Sequence, residues 1–129
     1  MPLIQIRSLP FDPPLDVPAV IERVARDFAQ GAEIGLENVT VTWDTLQPGH
    51  YAVGGVTAAV QPAGSHPVLV DLLAPDLNRH RKIERMLTTV AESLSRHTGV
   101  PVANVFVNLR QAHSGMVFDQ GKVARWGAG

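Results

Sequence analysis

From Leu3 to Leu9, apolar and polar residues alternate for part of the run, directly behind a proline, as they do along a strand with one buried face. The Pro10-Phe11-Asp12-Pro13-Pro14 stretch predicts a stiff loop. Asp16 then offers a helix cap with Pro18 in the first turn, and Val17, Val20, Ile21, Val24, Ala25 and Phe28 recur at helical spacing to form one apolar face. Gly31 and Gly35 are the expected end of that helix. Val39 to Leu46 predicts a second strand, Pro48-Gly49 a turn, and Gly49 to Gly55 a hairpin or loop.

The pattern then repeats. His66 to Leu73 is a nearly continuous apolar run, suited to the middle of a sheet. Asp76 or Asn78 can cap a helix whose Ile83, Met86, Leu87, Val90, Ala91 and Leu94 keep the spacing of the first, and Gly99 and Pro101 stop it. Asn104 to Leu109 predicts a fourth strand, and Met116 to Trp126 a short hairpin around Asp119-Gln120-Gly121. The correspondence extends to residues. Met1-Pro2-Leu3-Ile4-Gln5-Ile6 is answered by His66-Pro67-Val68-Leu69-Val70-Asp71, and Glu37-Asn38-Val39-Thr40-Val41-Thr42-Trp43 by Ala103-Asn104-Val105-Phe106-Val107-Asn108-Leu109, at offsets of 65 and 66 residues that one insertion reconciles. The chain therefore reads as α/β, a single domain over 1–129 made of two βαβ pseudo-repeats, 1–64 and 65–129, joined at Pro62-Ala63-Gly64-Ser65. Side by side, two such units give a four-stranded sheet with both helices on one face, and the other face calls for a second copy to cover it.

Composition narrows the function. A hydrophobic content of 45% with 18% charged residues describes a folded globule, not a disordered chain. The net charge of −1 and the lack of basic clusters with interleaved aromatics argue against a nucleic-acid partner. No apolar run reaches the length of a membrane span and the opening residues do not resemble a signal peptide, so a cytoplasmic location is expected. With no cysteine, thiolate ligands and cysteine nucleophiles are excluded. The five histidines show no zinc-ligand spacing and are expected at the surface; neither metal nor cofactor is expected. Gly49 to Gly55 is not a phosphate loop, because no Gly-Lys-Ser/Thr follows.

Pro2 differs from Pro67 in one chemical respect. Removal of Met1 exposes the Pro2 nitrogen as a secondary amine, whereas Pro67 stays an amide. The doubled pattern and this proline resemble the tautomerase superfamily, whose members are built from βαβ units and use an N-terminal proline as catalytic base. The opening Met1-Pro2-Leu3-Ile4-Gln5-Ile6 and the glycine-rich Gly49-His50-Tyr51-Ala52-Val53-Gly54-Gly55 are similar to parts of 4-oxalocrotonate tautomerase, which would make Tyr51 the aromatic lining the site. Arg79-His80-Arg81 resembles the arginine pair of malonate semialdehyde decarboxylase, and Glu37 its acidic residue; Val105-Phe106-Val107-Asn108 resembles a strand of macrophage migration inhibitory factor, implying Asn108 as a hydrogen-bonding neighbour of Pro2. The chain departs from the family at or close to Asp12 and at Thr40, where arginines are expected, and a dicarboxylate substrate is correspondingly disfavoured.

The resemblance implies the α+β tautomerase fold, a homotrimer, and proton transfer in a small 2-keto acid with Pro2 as base. The residues suit that chemistry. A model α-amine has a pKa of roughly 7.7 to 8.0, and an apolar pocket or nearby guanidinium groups draw it toward neutrality. Arg79 and Arg81 would hold the carboxylate through paired hydrogen bonds. If Pro2 instead stays protonated, Glu37 can activate water for hydration or decarboxylation of a three-carbon acid. If Met1 is retained, the chain is a non-catalytic assembly or binding protein. Each site residue also has a plain structural reading: Arg79 and Arg81 as a solvated helix start, Glu37 as a surface turn residue, Tyr51 as packing, Asn108 as a partner of a nearby loop. Trp43 and Trp126 are expected to pack between subunits.

Overall fold

The computed structural model describes residues 1–127. Leu3–Ser8 forms β1, Val17–Ala32 α1 and Thr40–Thr45 β2; a hairpin of Ala52–Val53 (β3) and Val56–Thr57 (β4) follows. Val68–Pro75 forms β5, His80–Thr98 α2 and Val105–Ala112 β6; Val117–Asp119 (β7) and Lys122–Ala124 (β8) make the second hairpin. The four long strands make one mixed sheet in the order β2-β1-β5-β6, and each hairpin is a separate two-stranded ribbon. β1 runs parallel to β2 and β5 to β6, while the central pair is antiparallel, with Leu3 opposite Leu73 and Arg7 opposite Leu69.

That antiparallel centre follows from two right-handed βαβ units meeting edge to edge with both helices on the same face. Alternate residues of the central strands (Ile4 and Ile6, Val70 and Leu72) point toward that face and pack against Val24 and Phe28 of α1 and Met86, Val90 and Leu94 of α2. The other parity, with Leu3, Gln5 and Arg7 on β1 and Leu69 and Asp71 on β5, faces away from the helices. No helix among the described residues is long and apolar enough to cross a membrane.

Asp16 caps α1 as its sequence suggests, its Oδ1 accepting the Ala19 N–H at 3.2 Å. The end of α1 differs from expectation. Neither Gly31 nor Gly35 terminates it; Glu33 takes the left-handed conformation, with φ 56°, and its N–H closes on the carbonyls of Ala29 and Gln30. Gly31 lies inside the helix, where a side chain would run into Thr89 of α2.

The start of α2 also differs. Arg79 occupies the cap position without a side-chain bond, because Asn78 Nδ2 donates to the Pro75 carbonyl and Asp76 is engaged by residues far along the chain. Gly99 ends α2 in the left-handed conformation, at φ 81°.

Candidate active site

Pro2 is buried where β1 enters the sheet. Its carbonyl accepts the Thr40 N–H at 3.0 Å, which fixes the first residues of β1 against β2. The Met1 ammonium donates to the Asn38 carbonyl at 2.9 Å. A cleft of 420 Å³ opens there, walled by Pro2, Leu3, Glu37, Asn38 and Leu73 on one side and by Phe118, Asp119 and Gln120 of the β7-β8 hairpin on the other. Glu37 reaches it from the single turn Leu36–Asn38 that links α1 to β2, and its carboxylate lies so close to Gly35 that a Cβ there would collide with it.

The topology explains the second hairpin's place. Because β5 and β6 run antiparallel to β1, β6 finishes at the end of the sheet where β1 begins, with β5 between them, and the hairpin after β6 reaches across to Pro2. By the same symmetry the first hairpin falls on the other copy of the proline. Tyr51 donates its hydroxyl to the Pro67 carbonyl at 2.8 Å and packs edge-on against His66 at 5.1 Å between ring centres. Burial pushes the Tyr51 hydroxyl above its usual range. Tyr51 therefore sits at the end of the sheet away from Pro2 in the same chain.

The remaining sequence-derived residues divide. Glu37 shares the cleft with Pro2. Arg79 and Arg81 begin α2 at the same end of the sheet, but neither lines the cleft; Arg81 borders a depression between the helices with Gly31, Glu33, Lys82 and Arg85. Asn108 lies on β6 opposite Asp71, which in turn is opposite Gln5, so two strand spacings and part of β1 separate it from Pro2. It lines instead a groove of 440 Å³ on the helix-free sheet face with Arg7, Leu69, Asp71 and Phe106. Arg110 grips Asp71 on that face, both carboxylate oxygens lying 3.0 Å from its Nε and one 2.7 Å from Nη2. This hydrogen bonding holds the Asp71 carboxyl below the usual carboxylate range, against the opposing effect of burial.

No protein-family model and no curated protein matches the chain. Solved structures do. Pt0534, inactivated by 2-oxo-3-pentynoate, superposes with a TM-score of 0.81 at 16% identity over 95% of this chain and 94% of that one. Fused 4-OT in a symmetric trimer gives 0.79 at 15% identity, covering 95% and 94%. Malonate semialdehyde decarboxylase gives 0.69 at 13% identity, covering 94% and 93%. The chain has the tautomerase fold. At these identities the likeness is one of fold, and the chemistry must be argued from the chain's own residues.

Within the tautomerase fold, one expectation about an individual residue needs correction. His66 is not a surface histidine: it is buried, with Nε2 2.8 Å from the Val56 carbonyl and Nδ1 3.0 Å from Ser65 Oγ. Both indole N–H groups find partners within the chain, Trp43 Nε1 donating to Ser8 Oγ at 3.2 Å and Trp126 Nε1 to Asp76 Oδ1 at 2.8 Å, while both rings stay partly exposed. The sequence reading also missed Phe118, Asp119 and Gln120 as cleft residues. The signal was present in the duplication: the second hairpin must cover the first proline if the halves pack antiparallel.

Proposed function

We propose that the chain, once Met1 is removed, is a tautomerase-like isomerase in which the Pro2 amine carries a proton between oxygen and carbon of a small 2-keto acid. In the enol-to-keto direction the neutral amine accepts the hydroxyl proton as the C=O bond forms, and the resulting ammonium delivers it to C3. The observation that carries this reading is the burial of Pro2 in the wall of a cleft of 420 Å³, covered by its own hairpin. Leu3, Leu73 and Phe118 give that cleft an apolar component, which disfavours an ammonium and favours a base. In this reading the substrate carboxylate would extend out of the cleft toward Arg79 and Arg81, which begin α2 at the same end of the sheet but outside the cleft walls. The likeness to Pt0534, which 2-oxo-3-pentynoate inactivates, supports it. That reagent should add to the Pro2 nitrogen here, and an adduct elsewhere would tell against the assignment.

One observation favours a second reading. Glu37 and Asp119 both line the cleft, while no lysine or arginine does so among the described residues. Carboxylates beside an amine stabilise its protonated form. Pro2 would then act as an acid and Glu37 would activate water, giving hydration or decarboxylation of a three-carbon acid; malonate semialdehyde decarboxylase, solved in connection with decarboxylase and hydratase activities, has the same fold. The pH–rate profile separates the two. A neutral Pro2 base loses activity as pH falls through its pKa, and a Pro2 acid loses it as pH rises.

We also infer a homotrimer that buries the helix-free sheet face, supported by the fused 4-OT trimer of like fold. Phe106, 57% exposed in the single chain, lies on that face. A small carboxylate substrate and the absence of any cofactor complete the proposal.

A further inference from the structure

Among the described residues, β7 and β8 pair with each other and with no strand of the four-stranded sheet. The hairpin's aim across Pro2 therefore depends on its two feet, and one side chain ties both. Asp76 Oδ2 lies 2.8 Å from Nδ1 of His113 on the entering leg. Its Oδ1 accepts the indole N–H of Trp126 on the leaving leg at 2.8 Å. The legs are closed on each other by Trp126 N–H to Ser114 Oγ at 2.8 Å and Gly115 N–H to the Ala124 carbonyl at 2.9 Å. The Asp76 N–H adds a bond to the Ala112 carbonyl at 3.0 Å.

Asp76 follows directly on β5, whose Leu73 pairs with Leu3 beside Pro2. A single carboxylate thus fixes the hairpin to the strand that neighbours Pro2. The Trp126 bond and then the His113 bond hold the Asp76 carboxyl below its usual range, so the doubly engaged acceptor is ionised at neutral pH.

We propose that Asp76 is a positioning residue: it holds the β7-β8 hairpin, and with it Phe118, Asp119 and Gln120, at a fixed distance across the cleft from Pro2. It does not touch substrate. Its effect on turnover rests on the Pro2 reading, whereas its effect on the hairpin does not. Releasing the feet leaves Pro2 and β1 in place and loosens only the opposite wall, so substrate binding suffers before proton transfer does.

The test is backbone hydrogen exchange of the full chain, followed by mass spectrometry, in wild type, Asp76→Ala and Trp126→Phe, with phenylenolpyruvate kinetics alongside. Asp76→Ala should speed exchange across residues 115–124 by about tenfold or more, and Trp126→Phe by less, with β1 and β5 unchanged. KM should rise by a larger factor than kcat falls. Asp76→Asn, which keeps an acceptor for Trp126, should fall between wild type and Asp76→Ala. Unchanged exchange in both Asp76→Ala and Trp126→Phe would overturn the proposal. So would faster exchange spread equally through β1 and β5, the mark of general destabilisation. A processed wild type that turns over no keto–enol substrate would refute the Pro2 reading instead, and the exchange result alone would then decide the role of Asp76.

Discussion

The Tyr51 hydroxyl donates to the Pro67 carbonyl at 2.8 Å, so the first hairpin is bonded to the proline that cannot be an amine. Its counterpart across the pseudo-symmetry, the β7-β8 hairpin, faces Pro2 over a cleft of 420 Å³. The two ends of the sheet also differ in chemistry: Glu37 at the Pro2 end is matched by Ala103 at the other. The two halves therefore differ at their prolines, one with a carboxylate in its cleft and the other with a tyrosine bonded to its carbonyl.

Tyr51→Phe removes one partly buried hydrogen bond and leaves the Pro67 carbonyl without that donor. The expected cost is about 1 kcal/mol of unfolding free energy, read as a shift of the urea midpoint. If Tyr51 serves the Pro67 end alone, steady-state turnover stays at the wild-type level; a large loss of kcat would place the ring in a neighbouring copy's site.

Asp27 joins the helices by accepting from Ser93 Oγ at 2.7 Å and Arg96 Nη1 at 3.1 Å, with His97 Nε2 at 2.9 Å. Burial alone would raise the Asp27 carboxyl; the bonds from Ser93 and His97 and the nearby charges outweigh it and hold it below its ordinary value. A depressed carboxyl contributes stability that is present above the unfolded pKa, about 3.9, and is lost as pH falls through the folded one. Urea unfolding of wild type and Asp27→Asn should therefore differ most near neutrality and converge in acid. A difference that grows on acidification would contradict this account of Asp27.

Gly31 is a position where the usual helix preference reverses. Glycine to alanine inside a helix is ordinarily stabilising by about 1 kcal/mol. Here a Cβ would lie 2.8 Å from both Cγ2 and Oγ1 of Thr89, a branched side chain with little freedom to move aside. Gly31→Ala should destabilise by about 1 to 3 kcal/mol through forced separation of the helices. Adding Thr89→Ala should recover most of that loss, and thermal melts of the two variants check it.

Much of the fold could be read from the sequence because its determinants are local and doubled. The partial alternation along β1, the nearly continuous apolar run of β5, the helical spacing of Val20, Val24 and Phe28, and the caps at Asp16 and Gly99 each act within a few residues. What escaped reading depends on partners far along the chain. Asp76 is absent from the α2 cap because Trp126, fifty positions on, takes its carboxylate. Gly31 is a contact residue, which shows only once Thr89 is opposite it. His66 is polar in sequence and buried in the fold because Val56 and Ser65 supply partners for both ring nitrogens. Of the candidate site, Pro2 and Glu37 meet in one cleft, while the hairpin residues that face them became visible only with the antiparallel packing of the halves.

The proposed trimer gives a test at the helix-free sheet face. Phe106→Glu should place a charge within the subunit contact while leaving the single chain's core untouched. Light scattering should then report a mass near that of the 13.9 kDa chain, against three times that value for wild type. A wild-type protein already at the single-chain mass would refute the trimer.

The central claim is that the Pro2 nitrogen is a working amine, and the most direct measurement is the intact mass of the purified protein, paired with phenylenolpyruvate turnover of the same sample and of Pro2→Ala. The account predicts a mass lacking Met1, measurable turnover, and a fall of about a hundredfold or more on substitution, the usual scale of a lost general base. Turnover by protein that retains Met1, or a processed Pro2→Ala variant as active as wild type, would contradict it.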